Sequence, residues 1–179
     1  MMTVKLSPRL LAAAELVDTS GSVCDVGTDH ALLPCYLYQK GIKNIIASDI
    51  NDGPLRSAEA TIKLYGAEKC VSVLKSDGLR SVPPCDDVII AGMGGELIIH
   101  ILSEAEFVRK EPERIGFVLQ PQSKEHLLRS YLYENGYRIT DERRVEDAGK
   151  LYCVISAVYD GVKRSAELLE LYFGKPGLE

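Results

Sequence analysis

Acidic residues follow three successive apolar runs, at positions where a carboxylate could serve a ligand. The first run closes as Val23-Cys24-Asp25-Val26-Gly27-Thr28-Asp29-His30. The run from Asn44 to Ser48 closes on Asp49, and the run from Val71 to Leu74 is followed by Ser76-Asp77-Gly78. In a doubly wound sheet, ligands sit in the crevice outside the C-terminal strand ends, beside strand one. Gly27 would let the backbone approach such a ligand closely. Asp49 could accept both hydroxyls of a ribose. Asp77 could accept an exocyclic amine while Gly78 makes room for a ring. Each also has a plain structural alternative: a strand-to-helix turn around Gly27, a helix cap at Asp49, and an Asp-Gly turn at Asp77-Gly78. The conjunction of all three is far more specific than any one.

The pattern around Gly27 argues against a dinucleotide ligand. That fingerprint requires G-x-G-x-x-G to cradle a pyrophosphate on a helix N-terminus. Here Gly27 stands alone, with Asp29 and Leu32 at the later glycine positions. A carboxylate at Asp29 would repel a pyrophosphate. S-adenosylmethionine has no phosphate and carries a sulfonium and an amino group, so acidic residues suit it.

Two further segments end strand-like runs. Ala91-Gly92-Met93-Gly94-Gly95 follows the run from Asp87, where backbone bare of side chains would border an acceptor pocket. Gln120-Pro121-Gln122 follows Ile115 to Leu119, and Gln120 could read a base edge there.

Apolar runs of four to six residues alternate with helical patterns, which predicts a parallel α/β sheet. Helices are expected from Pro8 past Val17 to a stop at Gly21, from about Ala31 to Gln39, from Asp52 to Tyr65, after Gly95 to Leu102, and from Lys124 to Glu134. Ser7 reads as an N-cap before Pro8. Tyr137 to Val145 and Lys150 to Tyr159 form a hairpin around Asp147-Ala148-Gly149, so one of the two runs antiparallel. The first carries Arg138, Asp141, Glu142, Arg143 and Arg144 and reads as the edge. The expected fold is a Rossmann-like class I methyltransferase, with a seven-stranded, mostly parallel sheet and a C-terminal antiparallel hairpin. Residues 1–160 form the expected domain, and 161–179 a short C-terminal helix or tail.

The 179 residues suit one domain. Five cysteines with no C-x-x-C pair argue against a disulfide framework and a zinc site, so no metal is expected. A reducing, cytoplasmic setting fits. No apolar run reaches membrane-span length, and the N-terminus lacks the apolar stretch of a secretory signal. The formal charge of −5 leans away from nucleic acid.

Several motifs, in order, resemble the bacterial tRNA (adenine(22)-N1)-methyltransferase family (TrmK-like). They are Leu6-Ser7-x-Arg9-Leu10, Asp25-Val26-Gly27-Thr28-Asp29-His30-Ala31-x-Leu33-Pro34, Ser48-Asp49-Ile50, Gly53-Pro54-Leu55, Asp77-Gly78-Leu79, Ala91-Gly92-Met93-Gly94-Gly95, Gln120-Pro121 and Asn135-Gly136-Tyr137. The resemblance implies S-adenosylmethionine-dependent methylation of adenine N1 in tRNA; a monomer or weak homodimer is expected. It implies cofactor contacts at Gly27, Asp49, Asp77 and Met93, and it makes Asp29 the leading catalytic candidate. With their neighbours, the expected cofactor set is Asp25, Gly27, Thr28, Asp29, Asp49, Ile50, Asp77, Gly78, Ala91, Gly92 and Met93. The expected catalytic pair is Asp29 and His30, and the expected substrate set is Arg9, Gly94, Gly95, Gln120 and Pro121. Two departures stand out. Gln122 replaces the family's Asn after Gln-Pro, and only Lys163 to Glu179 stands where the family carries a long coiled coil. The competing readings are a methyltransferase of this fold with a small-molecule or protein acceptor, and a non-catalytic nucleotide-binding domain.

Overall fold

A computed structural model describes residues 2–110 and 114–174; residues 175–179 of the expected tail lie outside them. Seven strands form one sheet: β1 (Val23–Val26), β2 (Ile45–Asp49), β3 (Val71–Lys75), β4 (Asp87–Met93), β5 (Gly116–Pro121), β6 (Tyr137–Asp147) and β7 (Lys150–Tyr159). Their spatial order is β3-β2-β1-β4-β5-β7-β6. The first five are parallel; β7 pairs antiparallel to both β5 and β6. The charged strand β6 is therefore the edge, as its composition predicts.

Both faces of the sheet are covered, and the central strands are accordingly apolar at most positions, with Asp25, Asp87 and Gln120 as buried exceptions. Cys24, Val26, Val88, Ile90, Phe117, Leu119 and Ile155 point into one core with Ile98 and Leu102 of α4 (Gly95–Glu104) and with Leu128 and Leu132 of α5 (Glu125–Glu134). The intervening Val23, Ile89, Val118 and Val154 point into the other core. That core is closed by Ala13 and Ala14 of α1 (Pro8–Ala14), Leu33 and Leu37 of α2 (Leu32–Gln39), and Ala58 and Ile62 of α3 (Asp52–Tyr65). A last helix, α6 (Leu168–Phe173), lies against α5.

Some local expectations are corrected. α1 stops at Ala14, short of the predicted end. Gly21 does not cap it; a Cβ there would stand 2.7 Å from Asp86 Cβ, so this glycine permits close approach. Ser7 takes the N-cap position with extended backbone, but its hydroxyl makes no capping bond. α2 begins one residue late because Ala31 adopts φ +52°. The segment expected to follow β4 is partly inside it. Ala91 pairs with Gln120 and Met93 with Pro121, so Gly92 is an extra residue, a β-bulge. Its φ of +77° favours glycine.

Candidate functional site

Two cavities open at the C-terminal ends of β1, β2, β3 and β4 and meet at Gly27. One, of about 300 Å³, is bounded by Gly27, Asp49, Ile50, Ser76, Asp77, Gly78 and Met93 on the strand side. Leu97, His100, Ile101 and Glu104 of α4 bound it on the other. The second, of about 260 Å³, is lined by Arg9, Asp25, Thr28, Asp29, His30, Ala91 and Gly92.

Glycine is favoured at position 27, the junction. Its φ is +75°, and Met93 Cε occupies the space a Cβ would need. The methionine tip could swing aside, but the left-handed backbone would still penalise a side chain. Asp49 is oriented by its own loop: Asn51 N–H donates to its Oδ1 at 3.0 Å. Ile50 and Leu97 are exposed and form apolar walls of the larger cavity.

The smaller cavity holds a buried acid. Asp25 is 4% exposed. Burial raises its carboxyl to about 7, with Thr28 opposing the rise and the Asp49 charge adding to it. Thr28 Oγ1 is buried beside it, without a well-aligned hydrogen bond to any described protein group. Because the folded-state pKa lies above the unfolded value of 3.8, the folded chain holds the extra proton between about pH 4 and 7. Asp25 therefore subtracts stability as pH rises through that window, and a bound cation would offset this cost.

Asp29 and His30 stand at the mouth, with side chains 71% and 62% exposed and Nε2 to Oδ2 at 3.7 Å. Asp29 has φ +52°, a conformation that Asp and Asn tolerate better than most residues. Arg9 reaches the same cavity from α1. Its Nε lies 3.5 Å from Asp147 Oδ2, and its guanidinium sits 5.4 Å from the Tyr152 ring centre.

Four expected substrate residues do not reach either cavity. Gln120 is fully buried, and its amide is committed to the protein. Its Oε1 accepts from Gly92 N at 3.1 Å and from Gln122 Nε2 at 3.3 Å, while its Nε2 donates to Pro121 O at 2.9 Å. It supports the bulge by pairing the amide that the bulge removes from the ladder. Pro121 is buried at the end of β5. Gly94 is the N-cap of α4. Gly95 packs against the β5–α5 loop, where a Cβ would come within 2.7 Å of Lys124 O. The α4 wall was missed in the sequence, although Leu97, His100, Ile101 and Glu104 have the i, i+3, i+4, i+7 spacing of one helix face.

Residues 6–155 match the family model described as "Methyltransferase domain". The tRNA (adenine(22)-N(1))-methyltransferase of Bacillus subtilis (strain 168) is 37% identical over 94% of this chain and 74% of its own length. The chain belongs to the tRNA (adenine(22)-N(1))-methyltransferase family. Two solved structures resemble this methyltransferase closely. M. capricolum TrmK in complex with S-adenosyl-homocysteine is 29% identical, with a TM-score of 0.82 over 95% of this chain and 76% of that one. A Streptococcus pneumoniae protein in complex with S-adenosyl-L-methionine is 32% identical, with a TM-score of 0.83 over 93% and 78%. The residues of this methyltransferase fit such a ligand. The buried Asp25 carboxyl and Thr28 hydroxyl would suit its cationic amino-acid end, and the Asp49 and Asp77 acceptors between apolar walls would suit its adenosine. Among the described residues, no cluster of His, Cys, Asp or Glu could hold a metal, and no helix is long and apolar enough to cross a membrane.

Proposed function

We propose that this chain methylates N1 of adenine 22 in tRNA with S-adenosylmethionine as donor. The observation that carries the reading is the junction at Gly27. A cavity with two ribose- and adenine-type acceptors, Asp49 and Asp77, meets one with a cation site and an open mouth. When bound, the donor supplies a methyl group already activated by its sulfonium. Asp49 accepts from the ribose hydroxyls, and Asp77 accepts from the adenine amine. Asp25 and Thr28 hold the cationic amino-acid end, and Met93 covers Gly27 between the two cavities.

Adenine N1 is unprotonated at neutral pH and already nucleophilic, so the chain needs alignment more than a general base. N1 lies on the Watson–Crick edge, so the base must leave its stack to enter the mouth. The bulge at Gly92 leaves backbone without a side chain on that path. Asp29 accepts from the exocyclic N6 amine and offsets the positive charge that develops on methylation. His30 lies beside it, and Arg9 meets the RNA from the rim. Residues 1–160 act as one domain, in the cytoplasm, as a monomer or weak homodimer.

The test is incubation with methyl-labelled S-adenosylmethionine and unmodified bacterial tRNA at low salt, followed by nucleoside mapping. Label is expected in 1-methyladenosine at position 22. Label on another atom, or none while the cofactor binds, sinks the reading.

The Asp25 assignment carries its own pH dependence. A carboxyl at about 7 is mostly neutral at pH 6 and mostly ionised at pH 8. Affinity for S-adenosylmethionine should therefore strengthen by up to about tenfold across that range, following the ionised fraction. Titration calorimetry at several pH values checks this. Asp25→Asn should flatten the profile, and an equal slope in both proteins removes Asp25 from the role.

A further inference from the structure

One guanidinium spans the rim of the larger cavity. Arg80, in the loop after β3, donates from Nη1 to Asp77 Oδ2 at 2.8 Å and from Nη2 to Glu104 Oε1 at 2.6 Å. Glu104 lies on the last turn of α4, with Oε2 3.8 Å from His100 Nε2. Asp77, His100 and Glu104 all line the cavity. Below the bridge the same two walls touch again. A Cβ on Gly78 would lie 3.2 Å from both Ile101 Cγ1 and Cγ2. The β3 loop and α4 are thus held together at two levels, by packing and by an ionic strap.

The strap is poorly placed to stabilise the fold. The side chains of Arg80, Asp77 and Glu104 are 55%, 49% and 31% exposed, and ion pairs that open to water add little stability. Its effect is geometric. Arg80 engages Oδ2 of Asp77, which restrains rotation of the carboxylate and leaves Oδ1 as the acceptor for a ligand. Its planar fork serves two carboxylates at once, which a lysine ammonium on a flexible stem does poorly.

We propose that Arg80 is a positioning residue for purine recognition. By fixing the Asp77 carboxylate and the width of the slot, it makes the cavity accept a purine with an exocyclic amine and reject one with a carbonyl at that position. The proposal rests on reading this cavity as the adenosine site.

The test measures dissociation constants for S-adenosylhomocysteine and S-inosylhomocysteine on the full chain and on Arg80→Ala, Arg80→Lys and Glu104→Gln. Arg80→Ala should weaken S-adenosylhomocysteine by about tenfold, the scale of one hydrogen bond to a charged group. The inosine analogue should change less, so the preference for adenine narrows. Arg80→Lys and Glu104→Gln should fall between. In methyl transfer, KM for the donor should rise while kcat holds. Wild-type binding of both ligands by Arg80→Ala, or loss of both in equal proportion, overturns the proposal. A wild-type chain that binds neither ligand overturns the adenosine-site reading beneath it.

Discussion

Arg129→Met should destabilise the protein by about 3–5 kcal/mol, the usual cost of breaking a buried ion pair from one side. Arg129 and Glu142 have side chains only 3% and 6% exposed. Arg129 Nε donates to both Glu142 oxygens at 3.2 Å, and Nη2 makes a further short bond to Oε1. Nη1 donates to Leu171 O at 2.6 Å, and Nη2 to Cys153 Sγ at 3.4 Å. Cys153 in turn donates to Glu142 Oε1 at 3.1 Å. This network joins α5, β6, β7 and α6. Methionine would fill the volume but leave a buried carboxylate unpaired and the Leu171 carbonyl without its donor. Urea unfolding measures the loss, and a thermal midpoint lower by roughly 6–20 °C should accompany it at this chain length. Removing both charges, as Arg129→Met with Glu142→Leu, should recover much of the stability. A single-variant loss below about 1 kcal/mol, typical of exposed pairs, contradicts the account.

Asp29→Asn should lower turnover on tRNA by about 10²-fold or more, the size of losing one preorganised electrostatic contact. Asparagine is the informative substitution because it tolerates the φ of +52° that this position demands. It keeps the shape of the side chain and removes the charge. The carboxylate stands in water at the cavity mouth, 71% exposed. The entering base would cover it, and its interaction with the developing charge would strengthen as the local dielectric falls. Single-turnover rates at saturating cofactor, beside a calorimetric dissociation constant, separate the two roles. Turnover equal to the wild type would dismiss Asp29 from the chemistry. A weakened cofactor with normal turnover would move it to the donor site.

The order of strands and helices was legible because it depends on local patterns. Apolar runs buried on both faces mark central strands, and the charged run from Arg138 to Arg144 marks an edge. The cluster at Gly27, Asp49 and Asp77-Gly78 was legible for a related reason. In a parallel sheet every strand points the same way, so residues just past the strand ends must share one crevice whatever the packing details. Other features depend on register and on side chains far apart in the chain, which periodicity cannot report. Gln120 looked like a base reader because it ends β5; the one-residue bulge at Gly92 turned it into a buried brace. Glu142 looked like an edge-strand surface charge until Arg129, 13 residues away, was found facing it in the core. The α4 wall and the Arg80 strap to Glu104, 24 residues apart, exist only once helix and loop are packed. By itself the sequence determined the fold and the strand ends at which Gly27, Asp49 and Asp77 gather. The tertiary structure decided which side chains line the cavities there, because ion pairs and bulges answer to distance in space and not to spacing along the chain.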